Sequence, residues 1–251
     1  MKKKARFAVF IFALVIAAGI VSCGLEDYPY LPSVPENNIT VQSVNRATIR
    51  LPNISSSYFT HFTIFYRIYI SGENTDQITT TDLSRVNTSL AADYNGIYPS
   101  TDITNTSANT AIGSLFRNRR YYELQIEGGD IRNLLSAGST VEIIFPTITG
   151  EKPTLNDVNG NVYGSLYRSN GEGIFDPVPD RYFLNSPDLN ASANTIETKN
   201  ADVANNTSIV ASSSRYTYVS LYIVLVGLDT QTLTSIYSQP TFIGILKLPE
   251  K

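Results

Sequence analysis

YFTHFTIFYRIYIS, residues 58–71, alternates with the period of a strand. Phe62, Ile64, Tyr66, Ile68 and Ile70 fall on one face, and Phe59, His61, Thr63, Phe65, Arg67 and Tyr69 on the other. The run is long and aromatic on both faces. Working outward, residues 39–44 and 47–51 read as two short strands before it, with turn chemistry in 53–57. After it come 121–127, 140–147, 162–168, 216–228 and 241–248, all rich in Val, Ile, Tyr, Phe and Thr. Two helices are expected. Residues 82–93 carry Leu83, Val86 and Leu90 on one stripe behind Thr81 as cap, and 131–137 are capped by Asp130 and stopped by Gly138. Each has a single apolar stripe, so each is expected to lie on the strands as a lid or crossover. The fold expected is mainly β: an antiparallel β-sandwich with long loop insertions and one or two short helices. One domain over 39–251 is expected, with insertions at about 72–120 and 150–215 and no internal repeat, in preference to two sandwiches sharing the chain.

The chain is 16% charged and 42% apolar, with one Cys, one Met, one His and no Trp. Four of the 19 Lys and Arg, and none of the 22 Asp and Glu, lie in the first 22 residues. There Lys2, Lys3, Lys4 and Arg6 precede an apolar run over 7–20, followed by Ile20-Val21-Ser22-Cys23. That order is n-region, h-region and small-residue cleavage site, and the run is shorter than the roughly 20 residues a spanning helix needs. An aliphatic residue, a small residue and then Cys resemble the lipobox of bacterial lipoproteins. The resemblance implies removal of the signal peptide 1–22, a diacylglyceryl group on the Cys23 thiol and acylation of the freed amine. Two or three acyl chains hold a protein stably on a bilayer where one does so only marginally. The expected location is therefore the cell envelope, lipid-anchored, on the outer membrane's periplasmic or surface face in preference to the inner membrane. Residues 23–38, with Pro29, Pro32 and Pro35, read as a Pro-rich tether. Their opening CGLEDYPYLP is similar to the start of a group of spirochaete lipoproteins, over about a dozen residues.

What remains after residue 22 carries 15 cations against 22 anions, a net charge of −7. It has one thiol, at its first position, and one imidazole, His61. This inventory disfavours a disulfide, a multi-thiolate metal site, zinc catalysis, haem, iron–sulfur chemistry and any mechanism with two imidazoles. No cofactor is expected, and the acidity argues against a nucleic-acid partner.

ATIRLP at 47–52, FYRIYIS at 65–71, YTYVSLYIVLVGLD at 216–229 and YSQPTFIGILKLP at 237–249 are similar, in order, to the strand series of a fibronectin type III domain, over about seventy residues. The resemblance implies an Ig-like sandwich in which 58–71 and 216–228 are adjacent antiparallel core strands. Tyr216, Tyr218 or Tyr222 would close the tyrosine corner, and Ser238-Gln239-Pro240 the break before the last strand. The family's usual Trp is missing, with Leu51-Pro52 near its place, and about 140 residues separate the two central strands.

Candidate chemistry is sparse. Asn156-Asp157-Val158-Asn159-Gly160-Asn161 spaces its oxygens as a calcium loop does. Counted from Asp157, though, Val162 stands where Gly is needed and Arg168 where a bidentate Glu is needed, and Asn159-Gly160 is a favoured two-residue hairpin turn. The turn is expected and no metal site is assigned. Glu172, Asp176, Asp180 and Asp188 share a Gly/Pro loop. Paired carboxylates are what glycoside hydrolysis uses, whereas loop carboxylates are ordinarily just solvated. Arg117, Arg119 and Arg120 beside Tyr121 and Tyr122 form a basic, aromatic cluster. It reads as a charged turn into a strand, or as a contact for anionic head groups or polysaccharide. His61 has no nearby Cys or second His and no GxSxG or SxxK partner, so it reads as a packed or edge-strand histidine. The expectation is a binding or structural module and not an enzyme. Its partners would be the bilayer through Cys23 and a protein or glycan ligand held by Tyr-, Asn-, Ser- and Thr-rich loops such as those with Glu172, Asp176, Asp180, Arg117, Arg119, Arg120 and Tyr121. A carbohydrate-active hydrolase using the loop carboxylates is the alternative.

Overall fold

Residues 30–76, 78–97, 119–148, 151–169, 201–204 and 216–248 are described by the computed structural model. In chain order the strands are β1 (Ile39–Ser43), β2 (Arg46–Arg50), β3 (Phe59–Ser71), β4 (Tyr122–Glu123), β5 (Gln125–Ile126), β6 (Thr140–Ile144), β7 (Thr154–Asp157), β8 (Val162–Tyr167), β9 (Tyr216–Asp229), β10 (Thr234–Tyr237) and β11 (Thr241–Lys247). The helices are α1 (Leu83–Val86), α2 (Thr88–Ile97) and α3 (Ile131–Leu134). One sheet has the order β1-β2-β6-β7-β8-β5; the other has β10-β9-β3-β4, with β11 also on β9. The named strands pair antiparallel, and the two sheets pack as a sandwich.

β3 and β9 pair from Phe59↔Gly227 to Ser71↔Tyr216. From Phe62 onward the alternation assigns the two faces of β3 to two different cores, whereas Phe59, expected on the outer face, packs against the inner core because the register shifts between Phe59 and His61. Phe62, Ile64, Tyr66, Ile68 and Ile70, with Val219, Leu221, Ile223 and Leu225 of β9, meet Ile49, Val141, Ile143, Leu155 and Leu166 of the other sheet. On the opposite face, Phe65 and Tyr69, with Tyr218, Tyr222 and Val224, are covered by α1 and α2 through Leu83, Val86, Leu90 and Ile97. Two buried faces are why both carry large side chains.

The helical cover differs from expectation. Residues 82–93 are not one helix: Asn87 is extended (φ −165°, ψ 129°) between α1 and α2, and α2 runs on to Ile97. The Asn87 amide nitrogen donates to the Ile70 carbonyl at 2.8 Å, and its side-chain oxygen accepts from the Ser89 N–H at 2.8 Å. One Asn thus fastens the helices to the end of β3 and caps α2. Asp130 caps α3 as expected, accepting from the Arg132 N–H at 3.0 Å, but α3 ends at Leu134.

Residues 121–127 are likewise not one strand. Tyr122 and Glu123 pair with Tyr66 and Phe65 in one sheet, and Gln125 and Ile126 pair with Tyr167 and Leu166 in the other. Leu124, fully buried at the crossing, donates its N–H to the Ile64 carbonyl at 2.8 Å. The segment covers an edge of each sheet, which a period-two pattern cannot signal. On the other flank β1 and β11 close the sandwich: the Lys247 N–H donates to the Val44 carbonyl at 2.8 Å. Gly244 (φ +147°) leaves room for Val41, whose methyl lies 2.6 Å from where a Cβ would stand. The turn after Asp157 holds three residues and not two: the Gly160 N–H donates to the Asp157 carbonyl at 3.1 Å and Gly160 is left-handed (φ +82°), the bulged form of the hairpin.

Leu31 and Val34, inside the stretch expected as a tether, are packed in the inner core. Leu31 lies over Gly227, its Cδ1 2.9 Å from where a Cβ would stand, and Thr241 Oγ1 donates to the Val34 carbonyl at 2.7 Å. The chain therefore joins the body at the Phe59/Gly227 end of the central pair.

Ile223 is fully buried on the inner face opposite Ile64. Ile223→Ala is expected to lower unfolding stability by about 2–5 kcal/mol, read as a lowered urea midpoint with unchanged slope.

Candidate functional site

Arg119 and Tyr121 of the basic, aromatic cluster are drawn inward. β3 places Arg67 and Tyr69 on its outer face, and α2 lays Asp93, 4% exposed, against them. Asp93 Oδ2 accepts from Arg67 Nη1 and from the Tyr69 hydroxyl, each at 2.6 Å, and Oδ1 accepts from Arg119 Nη1 at 3.0 Å. Gly96 is what admits Arg119: a Cβ there would stand 2.0 Å from its guanidinium nitrogen. The Tyr121 hydroxyl lies 3.0 Å from that of Tyr69 and 3.1 Å from Ser220 Oγ. With the Tyr69 proton committed to Asp93, Tyr121 donates to Tyr69 and Ser220 donates to Tyr121. Burial pushes the Tyr69 phenol well above its ordinary value and the Tyr121 phenol up to about 12. Both stay protonated, so the group is a fixed hydrogen-bond chain ending on a paired carboxylate.

Arg120 stands apart in a left-handed conformation (φ 53°) that turns the chain into β4. Arg117, Glu172, Asp176, Asp180, Asp188 and Cys23 lie outside the described residues.

A second buried cluster carries no signal in the sequence, because its members lie 34 or more positions apart. Arg168 Nε donates to Asp202 Oδ2 at 2.7 Å and its Nη2 bonds Oδ1, with both side chains almost fully buried. The Tyr66 hydroxyl donates to Asp202 Oδ2 at 2.8 Å, with the Ser169 carbonyl 2.9 Å away. Residues 202–204 are thereby held along β3: the Ile68 N–H donates to the Asp202 carbonyl at 3.0 Å and the Ala204 N–H to the Ile68 carbonyl at 2.8 Å. Burial pushes the Tyr66 phenol well above its ordinary value.

His61 is half-buried near the start of β3, its Nδ1 3.0 Å from Thr60 Oγ1. Burial lowers its pKa from the ordinary 6.5, the nearby Arg132 guanidinium lowers it further, and Glu123 and Asp130 oppose the shift. Asp157 is committed to its own turn, accepting from the Asn159 and Asn161 N–H groups at 2.8 and 2.9 Å and from Asn161 Nδ2 at 2.7 Å. Among the described residues no three His, Cys, Asp or Glu side chains converge as metal ligands, and no helix is long and apolar enough to cross a membrane.

No family model, curated protein or solved structure matches the chain.

Asp93→Ala would leave Arg67 buried without its counter-charge. A loss of about 3–5 kcal/mol in urea unfolding is expected, and the pair Asp93→Leu with Arg67→Met should recover much of it. His61, the single imidazole of the chain, can be titrated without ambiguity by NMR. Its midpoint is expected below 6.5. Because the folded value is the lower one, the stability this imidazole contributes is complete above about pH 6.5 and declines as pH falls through the folded value.

Proposed function

We propose that the chain is an exported, lipid-anchored protein of a bacterial envelope, whose fibronectin type III-like sandwich serves ligand binding or structural contact and not catalysis. The observation that carries this reading is the unbroken order of basic n-region, apolar run and small residue before Cys23.

The strand arrangement supports the Ig-like part. β1-β2-β6 faces β4-β3-β9-β11, and the antiparallel adjacency of β3 and β9 is what the resemblance implies for its C-like and F-like strands. β7, β8 and β5 widen the first sheet beyond that pattern. The Tyr218 hydroxyl donates to the Glu73 carbonyl at 3.0 Å and accepts from the Thr75 N–H at 2.9 Å. It therefore ties down the chain after β3 and does not repeat the family's corner.

The two ends of the central pair support display away from the membrane. The N-terminal lead-in reaches the body beside Gly227. The described residues bordering 98–118, 170–200 and 205–215 sit along β3 from Phe65 to Ser71. Ile97 packs with Phe65, Arg119 bonds Asp93, the Ser169 carbonyl faces Tyr66, Asp202 and Ala204 bond Ile68, and Tyr216 pairs with Ser71. At about 3.3 Å per residue, β3 separates its two ends by about 40 Å. The Asn-, Ser- and Thr-rich stretches, including the loop of Glu172, Asp176 and Asp180, are rooted toward the end remote from Cys23. Adaptable polar side chains with interspersed Tyr suit recognition of a protein or glycan.

Wild type is expected to incorporate labelled palmitate and to partition into the detergent phase. Cys23→Ala protein should do neither. A Cys23→Ala protein that has lost its signal peptide and still partitions with detergent removes the anchor and the proposal with it.

A further inference from the structure

The end of the sandwich where the chain joins the body is also where its exposed apolar side chains gather. At the tip between β9 and β10, Leu233 is 76% exposed, and Leu228 and Tyr30 are exposed nearby. In the other sheet Val158, Val162 and Tyr163, all exposed, surround the β7–β8 turn. The pairing registers place both turns at one end: Asp157 pairs with Val141, which pairs with Ile49 just before the chain leaves β2 toward β3, and Gly227, next to the β9–β10 tip, pairs with Phe59 at the start of β3. Among the described residues the two other exposed large apolar side chains are Val41 on β1 and Ile148, which follows β6 at the opposite end.

Both turns are built alike. An Asp at the start of the turn accepts the turn's own donors: Asp229 from the Gln231 N–H at 2.9 Å and from Thr232 Oγ1 at 2.5 Å, and Asp157 from the N–H groups of Asn159 and Asn161. Each carboxylate is thereby occupied within its own turn, while Val158, Val162 and Leu233 project into solvent beside the exposed Asn159, Asn161, Gln231 and Thr232. Leu233 is also left-handed (φ 56°), a conformation that disfavours a side chain bearing Cβ, yet the position carries a large apolar group in solvent. Apolar groups gathered on one exposed end mark a contact surface.

From this geometry we infer that the end formed by the β7–β8 and β9–β10 turns rests on the bilayer interface, with Leu233, Leu228, Val162 and Tyr163 entering the boundary between head groups and acyl chains. The inference rests on the lipid anchor of the proposed function. Six residues lie between Cys23 and Tyr30, a reach of about 25 Å over seven steps at full extension, so of the two ends only this one is kept against the membrane. Tyr30 and Tyr163 have the amphipathic rings favoured at that depth. The two turns themselves, 157–163 and 228–235, carry Asp157 and Asp229 and neither Lys nor Arg. Contact is therefore apolar and does not require anionic lipid.

The test uses the full lipidated chain in phosphatidylcholine vesicles. With Cys23 acylated, an introduced Cys is the one free thiol, so an environment-sensitive fluorophore can be attached through Leu233→Cys, Val162→Cys or Ile148→Cys. Probes at 233 and 162 are expected to be quenched several-fold more by brominated lipid than the probe at 148. A probe at Thr230→Cys should lose most of its quenching when Leu233→Gly and Val162→Ser are added. Leu233→Gly relieves the left-handed backbone, so misfolding does not account for that loss. Protein that floats with the vesicles while probes at 233 and 162 behave like the one at 148 overturns this inference and leaves the anchor standing. Failure to float overturns the anchor and the inference together. Shielded but unquenched probes, with cross-linking between Leu233→Cys protomers, assign the surface to a second copy of the chain and overturn it as well.

Discussion

The pairing of β3 with β9 is the constraint on which the remaining elements depend. Both strands are buried on both faces, so neither is stable as part of a single exposed sheet. The inner face calls for a second sheet, which β2, β6, β7 and β8 supply through Ile49, Val141, Ile143, Leu155 and Leu166. The outer face calls for a further layer, which α1 and α2 supply despite having too little apolar surface to form a core of their own. The free edges of the pair are divided among short pieces: β4 and residues 202–204 on β3, β10 and β11 on β9. Covering long edges with short segments shortens the edge open to a neighbouring chain.

Placing Arg67 and Tyr69 on a face that becomes buried creates a charge and a hydroxyl that must be satisfied there, because an unpaired buried charge is far more costly than a paired one. Asp93 meets both and recruits Arg119, so the same carboxylate holds α2 to β3 and fixes where the chain returns after residue 118. Asp202 does the equivalent on the inner side, holding Arg168 and Tyr66 and laying residues 202–204 along β3. These two carboxylates are anchors for long connections. The buried phenols they serve have their pKa values raised, which makes them steady donors and poor acids.

The molecule is polarised along its strands. At one end two turns bond their own carboxylates and expose Val158, Val162, Tyr163, Leu228 and Leu233, next to the point where Leu31 enters the core. Toward the other end lie the roots of the connections rich in Asn, Ser and Thr. The entry of the chain at one end and the polar connections toward the other are the geometry on which the proposed display rests.

The sequence by itself determined the class of fold and its two central strands, because period-two alternation with β-branched and aromatic residues is local and needs no partner to be read. It also placed the Asp130 cap, the turn at Gly160 and the lipobox-like order around Cys23, all set by neighbours within a few positions. Tertiary structure decided what depends on distant partners. Residues 121–127 look like one strand until Leu124 meets Ile64 and the segment changes sheets. Residues 82–93 look like one helix until the side chain of Asn87 bonds Ile70. Arg119 and Tyr121 look like a surface patch until Asp93 and Ser220 draw them in, and Arg168 with Asp202 gave no sign of pairing across 34 positions. The gathering of exposed apolar groups at the Phe59/Gly227 end was equally invisible. Val162 and Leu228 fall within expected strands and Val158 and Leu233 outside them, and only the register of two sheets brings the four to one end.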